Sequence, residues 1–215
     1  MRAVLFDFDG TLADTAPDLG GALNRMLTDR GRTAVPLEKL RPHASSGARG
    51  LLFIGFGVKP GDDGFESMRE EFLANYSTSI CVHTRLFPGV EELLGSLESK
   101  PMAWGIVTNK AVRLTTPLVD KLGLAKRARC VVGGDSTPHL KPHPASLLHA
   151  AEKIGVKPSD CCYLGDDLRD IQAAKAAGMF SIAVEYGYSG TENGGPHAWN
   201  AEAVIGQPMD LLHHL

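Results

Sequence analysis

The sequence has no long apolar stretch, and no run approaches the roughly 18 residues that a membrane-spanning helix needs. We also expect no signal peptide, because the first strand-like run already begins at Ala3. From these two absences we expect a cytoplasmic protein that does not insert into a membrane.

An excess of charge and a zinc-type cysteine pattern are also missing. The net charge of −3 at pH 7 provides no basic surface for nucleic acid or for an anionic membrane. No C-x-x-C pattern occurs, so we expect no zinc site and predict reduced, mostly buried thiols for Cys81, Cys130, Cys161 and Cys162. Any anionic ligand must be bound by local charge and not by the field of the whole protein.

The sequence does contain short apolar runs that alternate with amphipathic stretches. The strand-like runs are AVLFD, MAWGIVTN, RCVVGGD, CCYLGDD and FSIAV. The helical patterns include GVEELLGSLES, AVRLTTPLVDKLG, PASLLHAAEKIG and LRDIQAAKAAG, each stopped by glycine or a polar break. This alternation predicts an α/β fold with a doubly wound parallel sheet and right-handed crossovers. A chain of 215 residues suits one domain or one domain with a small insertion.

One region departs from the alternation. From about Asp14 to Thr84 no strand-like run appears, whereas APDLGGALNRMLTDRG, SSGARGLLFIGFG and GFESMREEFLANYSTSI have helical spacing. We therefore predict a helical cap over residues 14–84, inserted into a core formed by residues 1–13 and 85–215. A connection this long is unusual, and such insertions commonly serve as lids or binding elements.

Polar side chains follow several of the predicted strands. They are Asp7 and Asp9 after the first strand, Thr108 and Asn109 after AWGIV, and Asp166, Asp167 and Asp170 after CCYLG. Lys141 lies in the connection that follows another strand. Because ligands bind beyond the carboxyl ends of the strands in a doubly wound sheet, we expect these four loops to converge on one pocket.

Crowded carboxylates repel one another and need a divalent cation. An all-oxygen set without a cysteine or histidine cluster suits Mg²⁺, which keeps coordination positions for water and phosphate oxygens. This chemistry favours phosphoryl transfer. Asp7 is then the candidate nucleophile that forms an aspartyl-phosphate. Asp9, two residues on, is placed to protonate the leaving alkoxide and to deprotonate water, while Lys141 neutralises Asp7 and the phosphate.

The other loops supply supporting groups. Thr108 and nearby backbone N–H groups are candidates to bind the phosphoryl oxygens, and Asp166 is the best metal ligand of its loop. Asp170 lies one helical turn further on, where it could orient Lys141 or the waters of the metal. Asp167 fits a helix cap better than a metal ligand.

The segments DFDGTLADT, VTN, KP and GDDLRD resemble, in order and spacing, the four motifs of the haloacid dehalogenase-like (HAD) hydrolase superfamily. The resemblance covers essentially the whole chain, and the helical insertion resembles the small helical cap of that superfamily. Within it the chain resembles the phosphoglycolate phosphatase branch. The stretches WGIVTNKAVRLTTP, LGDDLRDIQAAKAAG, AVEYGY and AWNAEAVI are similar to N-acetylmuramic acid 6-phosphate phosphatases.

The resemblance carries roles to particular residues. It implies three magnesium ligands, which are the nucleophile Asp7, the backbone carbonyl of Asp9 and the carboxylate of Asp166. It implies phosphate and charge partners in the other loops, namely Thr108, Asn109 and Lys141. It gives Asp170 a supporting position behind these groups.

The expected function is Mg²⁺-dependent hydrolysis of a small carboxylated phosphate ester, such as 2-phosphoglycolate or N-acetylmuramic acid 6-phosphate, through an aspartyl-phosphate. Two alternatives stay open, a sugar phosphomutase on the same core and a non-catalytic phosphate-binding protein. Release of inorganic phosphate distinguishes the first from a phosphatase. The intact set of candidate catalytic residues argues against the second. The oligomeric state stays undetermined.

Some residues outside the four motifs also draw attention. Arg49, flanked by Gly47 and Gly50, suggests a cap loop that approaches the site and contacts a substrate carboxylate. The histidines His139, His143 and His197 match no metal-ligand spacing and read as loop or surface residues. A substrate contact by His197 or by Trp199, in the glycine- and aromatic-rich loop 186–200, stays open.

Overall fold

A parallel sheet of six strands forms the centre of the computed structural model, which describes residues 1–188 and 194–215. In chain order its strands are β1 (Ala3–Phe6), β4 (Ala103–Val107), β5 (Val131–Val132), β6 (Cys161–Gly165), β7 (Phe180–Val184) and β8 (Ala203–Ile205). Their order across the sheet is β5-β4-β1-β6-β7-β8, and every neighbouring pair is parallel. The predicted doubly wound α/β sheet is confirmed.

Helices connect these strands. Between β1 and β4 lie α1 (Ala16–Asp29), α2 (Leu37–Leu40), a 3-10 segment (Arg41–Ser46), α3 (Gly47–Phe56), α4 (Phe65–Thr78) and α5 (Val90–Glu98). The later helices are α6 (Val112–Lys121), α7 (Ala145–Ile154) and α8 (Leu168–Ala177). Short 3-10 turns cover Pro158–Asp160, Pro196–Ala198 and Pro208–His214.

The first strand is apolar throughout because it lies in the middle of the sheet with helices on both faces. Val4 and Phe6 belong to the core on one face, and Ala3 and Leu5 to the core on the other. None of these four side chains is more than 1% exposed. A strand that is covered on both faces reads as a continuous hydrophobic run. Its carboxyl end opens where the strand order reverses, which is the position of ligand sites in such sheets.

The helical stretches predicted between residues 14 and 84 are confirmed as α1, α3 and α4. In α1 the buried residues Leu19, Leu23 and Met26 recur at helical spacing. They share a core with Leu52 of α3 and Phe72 of α4. The segment therefore has its own apolar centre, continuous with one side of the sheet.

Two short strands join the ends of this helical segment. Strand β2 (Ala13–Asp14) pairs antiparallel with β3 (Arg85–Leu86). These two strands lie at the margins of residues 14–84 and were not predicted from the sequence. Strands of two residues are too short to show the alternation of period two on which sequence-based recognition depends. The pair brings the entry and exit of the helical segment side by side.

All four cysteines are free thiols, with Cys81 partly exposed and the others buried, as predicted. The predicted loop over residues 186–200 lies partly outside the described residues, since residues 189–193 are not covered. The short strand expected after it is β8. Among the described helices, none combines the length and the apolar character needed to cross a membrane.

Candidate active site

Asp7, Lys141 and Asp170 meet at the carboxyl end of β1. Asp7 follows the last residue of β1, and its Oδ1 lies 2.8 Å from Lys141 Nζ. The same ammonium group lies 2.7 Å from Asp170 Oδ1. All three side chains are nearly excluded from water, with exposures of 12%, 3% and 1% respectively. One lysine thus bridges two buried carboxylates.

Lys141 is held in place from both its ends. Its Nζ donates to the Tyr163 hydroxyl at 2.7 Å and to the Val107 carbonyl at 3.2 Å. Its backbone N–H donates to Asn109 Oδ1 at 2.9 Å, and Asn109 Nδ2 donates to its carbonyl at 3.1 Å. Burial alone would lower the pKa of Lys141, but Asp170 and Asp7 outweigh burial and raise it. The lysine is therefore a fixed positive charge.

Asp166 completes the acidic cluster. It follows β6, is fully buried, and its Oδ2 accepts hydrogen bonds of 2.9 Å from Ser45 Oγ and from the Tyr188 backbone N–H. Burial, together with Asp7 and Asp170, raises the pKa of Asp166 well above its ordinary value. Carboxylate oxygens of Asp7, Asp166 and Asp170 all lie within 4.8 Å of one another.

These carboxylates fit a divalent cation. Asp7, Asp166 and Asp170 carry three negative charges when ionised, and Lys141 is the ammonium group that lies between two of them. The remaining deficit matches the charge of Mg²⁺, and an all-oxygen donor set suits that ion. Asp7 Oδ1 is buried and, although it forms an ion pair with Lys141, it accepts no hydrogen bond of good geometry from the described residues. Burial raises the pKa of Asp7 to about 7. The carboxylates of Asp170 and Asp9 add to this rise, and Lys141 opposes it.

Asp9 has a separate set of partners. Its Oδ1 lies 2.5 Å from Lys110 Nζ and accepts a 2.5 Å hydrogen bond from Thr15 Oγ1. Lys110 Nζ also donates to the Tyr76 hydroxyl of α4 at 3.0 Å. Burial alone would lower the pKa of Lys110, but Asp9 and Tyr76 outweigh burial and raise this pKa above the usual value. Both contacts of Asp9 use Oδ1, so Oδ2 stays available to another group.

A cavity of about 560 Å³ lies over this end of the sheet. Asp7, Asp9 and Thr108 line it from the sheet side, and the 3-10 segment and α4 line it from the helical side. Thr108 is 2% exposed, and its hydroxyl oxygen accepts the Lys110 backbone N–H at 3.1 Å, which leaves the hydroxyl proton for another acceptor. The volume lies in the range of small-molecule sites.

Asn109 and Arg49 take positions that refine the expectations from sequence. The Asn109 side chain is committed to the main chain of Lys141, so phosphate binding by Asn109 would use its backbone N–H. Arg49 is exposed at the cavity, as expected, but it lies in the first turn of α3 and not in a loop. Gly47 is the first residue of α3 and has a φ of 58°, which places it in the left-handed region.

Asp167 caps α8. Its side chain accepts from the backbone N–H of Arg169 at 2.8 Å, and Asp170 reaches back to the Asp167 backbone N–H at 3.1 Å. Asp167 also forms a 2.8 Å ion pair with Arg169, which donates to the Ser45 carbonyl at 3.0 Å. The interpretation of Asp167 as a helix cap fits this geometry. The hydrogen bond from Arg169 to Ser45 also links α8 to the helical segment.

His197 and Trp199 lie away from the cavity. His197 is on the surface, where its Nε2 lies 2.8 Å from Glu185 Oε1. Trp199 is 5% exposed and packs with Ile171 and Ala183 behind α8. His139 and His143 are exposed loop residues, in agreement with the reading from sequence. Neither His197 nor Trp199 lines the cavity formed by the described residues.

The sequence analysis missed the partners of Asp9 and Asp166. Lys110 directly follows the VTN motif at the end of β4, and that position could have marked it as a candidate. Tyr163 lies in β6, where all five residues are buried, and it looks like an ordinary core residue. Ser45 and Tyr188 approach Asp166 from residues 121 and 22 positions away in the chain. No local pattern reveals contacts of that kind.

Comparisons with known proteins agree with this geometry. A sequence profile described as haloacid dehalogenase-like hydrolase matches residues 4–184. An N-acetylmuramic acid 6-phosphate phosphatase of Pseudomonas putida is 42% identical over 211 residues, which cover 98% of this chain and 94% of that protein. A phosphoglycolate phosphatase of Xanthomonas campestris pv. campestris is 43% identical over 210 residues, with coverages of 98% and 94%.

A solved structure from Haemophilus somnus, described as a predicted phosphoglycolate phosphatase, superposes with a TM-score of 0.86 at 26% identity. The superposition covers 100% of this chain and 97% of that one. The sheet, its acidic edge and these similarities define a phosphatase with a doubly wound α/β fold. The chain belongs to the haloacid dehalogenase-like hydrolase family, as its four motifs predict.

Proposed function

We propose that this phosphatase hydrolyses a phosphate monoester of a small carboxylated metabolite through an aspartyl-phosphate on Asp7. The observation that carries the proposal is the buried, incompletely bonded Asp7 carboxylate at the cavity, with Lys141 beside it. The names of the relatives supply the first candidate substrates, 2-phosphoglycolate and N-acetylmuramic acid 6-phosphate. A two-carbon acid and a bulky sugar ether both fit within about 560 Å³.

In the first half-reaction an oxygen of Asp7 bonds to phosphorus while the ester P–O bond breaks. Asp9 Oδ2 gives its proton to the departing alkoxide. Thr108 donates its hydroxyl proton to a phosphoryl oxygen, and Lys141 balances the negative charge that gathers on Asp7 and the phosphate. The alcohol then leaves, and the phosphoryl group stays on Asp7.

In the second half-reaction a water molecule replaces the alcohol. Asp9, now ionised, takes a proton from the water, whose oxygen bonds to phosphorus while the P–O bond to Asp7 breaks. Inorganic phosphate leaves, and Asp7 and Asp9 return to their starting states.

Mg²⁺, held by Asp7, Asp166 and the Asp9 carbonyl, would supply electrostatic stabilisation of the phosphoryl oxygens when bound. The chain itself prepares the ligands, because Ser45 and the Tyr188 N–H orient the Asp166 carboxylate. Asp170 keeps Lys141 beside Asp7.

We further propose that residues 14–84 act as a cap over a core of residues 1–13 and 85–215. The cavity lies between the two parts, and the Arg169–Ser45 hydrogen bond links them at one side. A cap in this position would exclude bulk water while Asp7 is attacked and admit a single water later. Arg49, on the cap side, is our candidate for binding the substrate carboxylate.

The test is a phosphate-release panel on the purified chain. It compares kcat/KM for 2-phosphoglycolate and N-acetylmuramic acid 6-phosphate with values for sugar phosphates and nucleotides. We expect inorganic phosphate from a carboxylated ester at the highest kcat/KM. Transfer of the phosphoryl group to a sugar hydroxyl without phosphate release would instead identify a mutase.

The covalent step has its own test in Asp7→Asn. The substitution preserves the shape of the side chain but removes the nucleophilic charge, so we expect no detectable turnover from a folded protein. Asp29→Asn, the same change at the exposed end of α1, should leave kcat at the wild-type value. Turnover retained by Asp7→Asn would refute the aspartyl-phosphate.

A further inference from the structure

The hydroxyl group of Tyr188 lies at the point where the chain leaves the sheet for the helical segment. Its oxygen accepts hydrogen bonds from the backbone N–H groups of Thr15, at 2.5 Å, and Ala16, at 3.0 Å. It also lies 3.0 Å from Asp14 Oδ1, to which its own proton can be donated. The first N–H groups of a helix have no partner within the helix, so Tyr188 supplies one for the start of α1.

The backbone of the same residue contacts the acidic cluster. The Tyr188 N–H donates to Asp166 Oδ2 at 2.9 Å. Gly187 makes this approach possible, since a Cβ there would lie 2.3 Å from Asp166 Cβ and 2.5 Å from the Gly10 carbonyl. One residue thus reaches Asp166 through its main chain and the start of α1 through its side chain.

The ring of Tyr188 is enclosed by both connections of the helical segment. It is 2% exposed and lies 6.1 Å, between centroids, from the Phe87 ring, directly after β3. The Arg41 guanidinium lies over the Tyr188 ring, with its central carbon 5.7 Å from the ring centroid. The same guanidinium forms a 2.8 Å ion pair with Asp14. Burial, with Asp14 nearby, raises the pKa of Tyr188 and keeps the phenol protonated.

Thr15 connects this arrangement to Asp9. The Thr15 backbone is held by Tyr188, and the Thr15 hydroxyl donates to Asp9 Oδ1 at 2.5 Å. Thr15 is fully buried, so its side chain has little freedom to choose another geometry. A displacement of the Thr15 backbone would therefore be transmitted to the Asp9 carboxylate.

We propose that Tyr188 is a positioning residue for proton transfer, holding Thr15 so that Thr15 fixes the Asp9 carboxylate toward the leaving group. The inference rests on the proposed function, in which Asp9 is the acid. It assigns to the loop after β7 a part in catalysis that involves no contact with the substrate. Tyr188 acts through its hydroxyl, because only that atom touches Thr15.

The leaving group separates this role from a structural one. An alkyl ester such as 2-phosphoglycolate needs a proton from Asp9, whereas 4-nitrophenolate leaves without one. In Tyr188→Phe we expect kcat/KM for 2-phosphoglycolate to fall by about 10²-fold, the scale of a misplaced catalytic group. The kcat/KM for 4-nitrophenyl phosphate should stay within about threefold of wild type, because kcat/KM reports the first half-reaction and 4-nitrophenolate leaves without the acid.

Tyr186→Phe is the matched control. Tyr186 lies two residues away, and its ring packs on the same Phe87 at 5.3 Å. We expect both esters to be hydrolysed at wild-type rates by this variant. Thr15→Val, which removes the hydroxyl that contacts Asp9, should reproduce the selective loss of Tyr188→Phe.

Equal losses for both esters in Tyr188→Phe, or no loss for either, would overturn the proposal. If Tyr188→Phe does not fold, as judged by its thermal melt, Thr15→Val decides: a selective loss supports the chain of contacts, and an equal loss rejects it. A wild-type protein that releases phosphate from none of the esters in the substrate panel would instead reject the proposed phosphatase function. The two failures are thereby distinguishable.

Discussion

At the scale of single residues, the site is organised as paired charges. Lys141 forms ion pairs with Asp7 and Asp170. Lys110 forms an ion pair with Asp9, and Arg169 forms one with Asp167. Buried charges are tolerated when they are paired and hydrogen-bonded, and each of these pairs meets that condition. Asp166 differs, since its described hydrogen bonds come from neutral donors of Thr11, Ser45 and Tyr188. It is the carboxylate with the greatest need for a cation.

Lys110 should matter for catalysis even though it follows the recognised motif by one position. In Lys110→Met, Asp9 loses its charge partner and the Tyr76 hydroxyl loses its donor, so the Thr15 hydroxyl alone is left to position the Asp9 carboxylate among the described contacts. We expect kcat for an alkyl phosphate to fall by about 10²-fold or more, as for loss of a positioned general acid. Steady-state kinetics check this, with Lys121→Met at an exposed site as control. An unchanged kcat in Lys110→Met would show that the pair is only structural.

Arg49 gives a prediction about specificity. If its guanidinium binds the substrate carboxylate, Arg49→Ala should reduce kcat/KM for 2-phosphoglycolate by about tenfold or more, since a charge-assisted hydrogen bond contributes roughly 1.5–3 kcal/mol. The value for 4-nitrophenyl phosphate, which has no carboxylate, should hardly change. Arg32→Ala removes another exposed arginine of the helical segment and should alter neither. Parallel losses for both esters with Arg49→Ala would exclude carboxylate recognition.

At the scale of elements, the helical segment is fastened where it leaves and rejoins the sheet. Asp18, in the first turn of α1, is 5% exposed and accepts from the backbone N–H groups of His83 and Thr84 at 2.9 Å. The Thr84 hydroxyl donates to the same carboxylate at 2.7 Å. Together with the β2–β3 pair, this carboxylate sets the path of both connections.

Removing the Asp18 carboxylate should therefore destabilise the protein. Asp18→Ala leaves two backbone N–H groups and a buried hydroxyl without their acceptor, and each such group costs about 1–3 kcal/mol. We expect a loss of roughly that size or more in the free energy of unfolding, measured by urea denaturation. Asp29→Ala, at the exposed end of α1, should cost less than about 0.5 kcal/mol. Similar midpoints for the two variants would contradict the fastening role.

The elements also show what could be predicted from the sequence. Short apolar runs identified the strands of the sheet, and helical periodicity identified α1, α3 and α4. The rule that ligands bind at the carboxyl ends of strands placed Asp7, Lys141 and Asp166 at one site. The two-residue strands β2 and β3 carry no pattern. The Lys110–Asp9 pair depends on side-chain direction, and the Tyr188–Thr15 contact joins residues 173 positions apart. Periodicity reports on local structure and does not specify contacts of this kind.

At the scale of the whole molecule, the acidic edge should couple metal binding to stability. Mg²⁺ that binds only the folded chain stabilises it by about 2.7 kcal/mol at a concentration of 100 Kd. We expect Mg²⁺ to raise Tm, and EDTA to abolish activity until Mg²⁺ is restored. Thermal melts with and without the ion measure the first effect.

Two neighbouring aspartates provide the contrast. Asp166→Asn should lose the Mg²⁺-dependent rise in Tm, because it removes a charged ligand of the cluster. Asp167→Ala should lower Tm through loss of the helix cap, worth about 1 kcal/mol, yet keep the response to Mg²⁺. A Mg²⁺ response that survives in Asp166→Asn and vanishes in Asp167→Ala would reverse the assignment of the two residues.

The central position of β1 has a consequence for the order in which the molecule can form. The strand occupies residues 3–6, yet its neighbours in the sheet are residues 103–106 and 161–164. During synthesis on the ribosome, Asp7 emerges before both partner strands exist, so it is among the earliest residues made and among the last to reach its final position. Pairings of such long range are slow to close and leave an apolar strand exposed meanwhile. A nascent chain that stops before Cys161 therefore lacks the strand β6, against which β1 is paired and Asp7 is held.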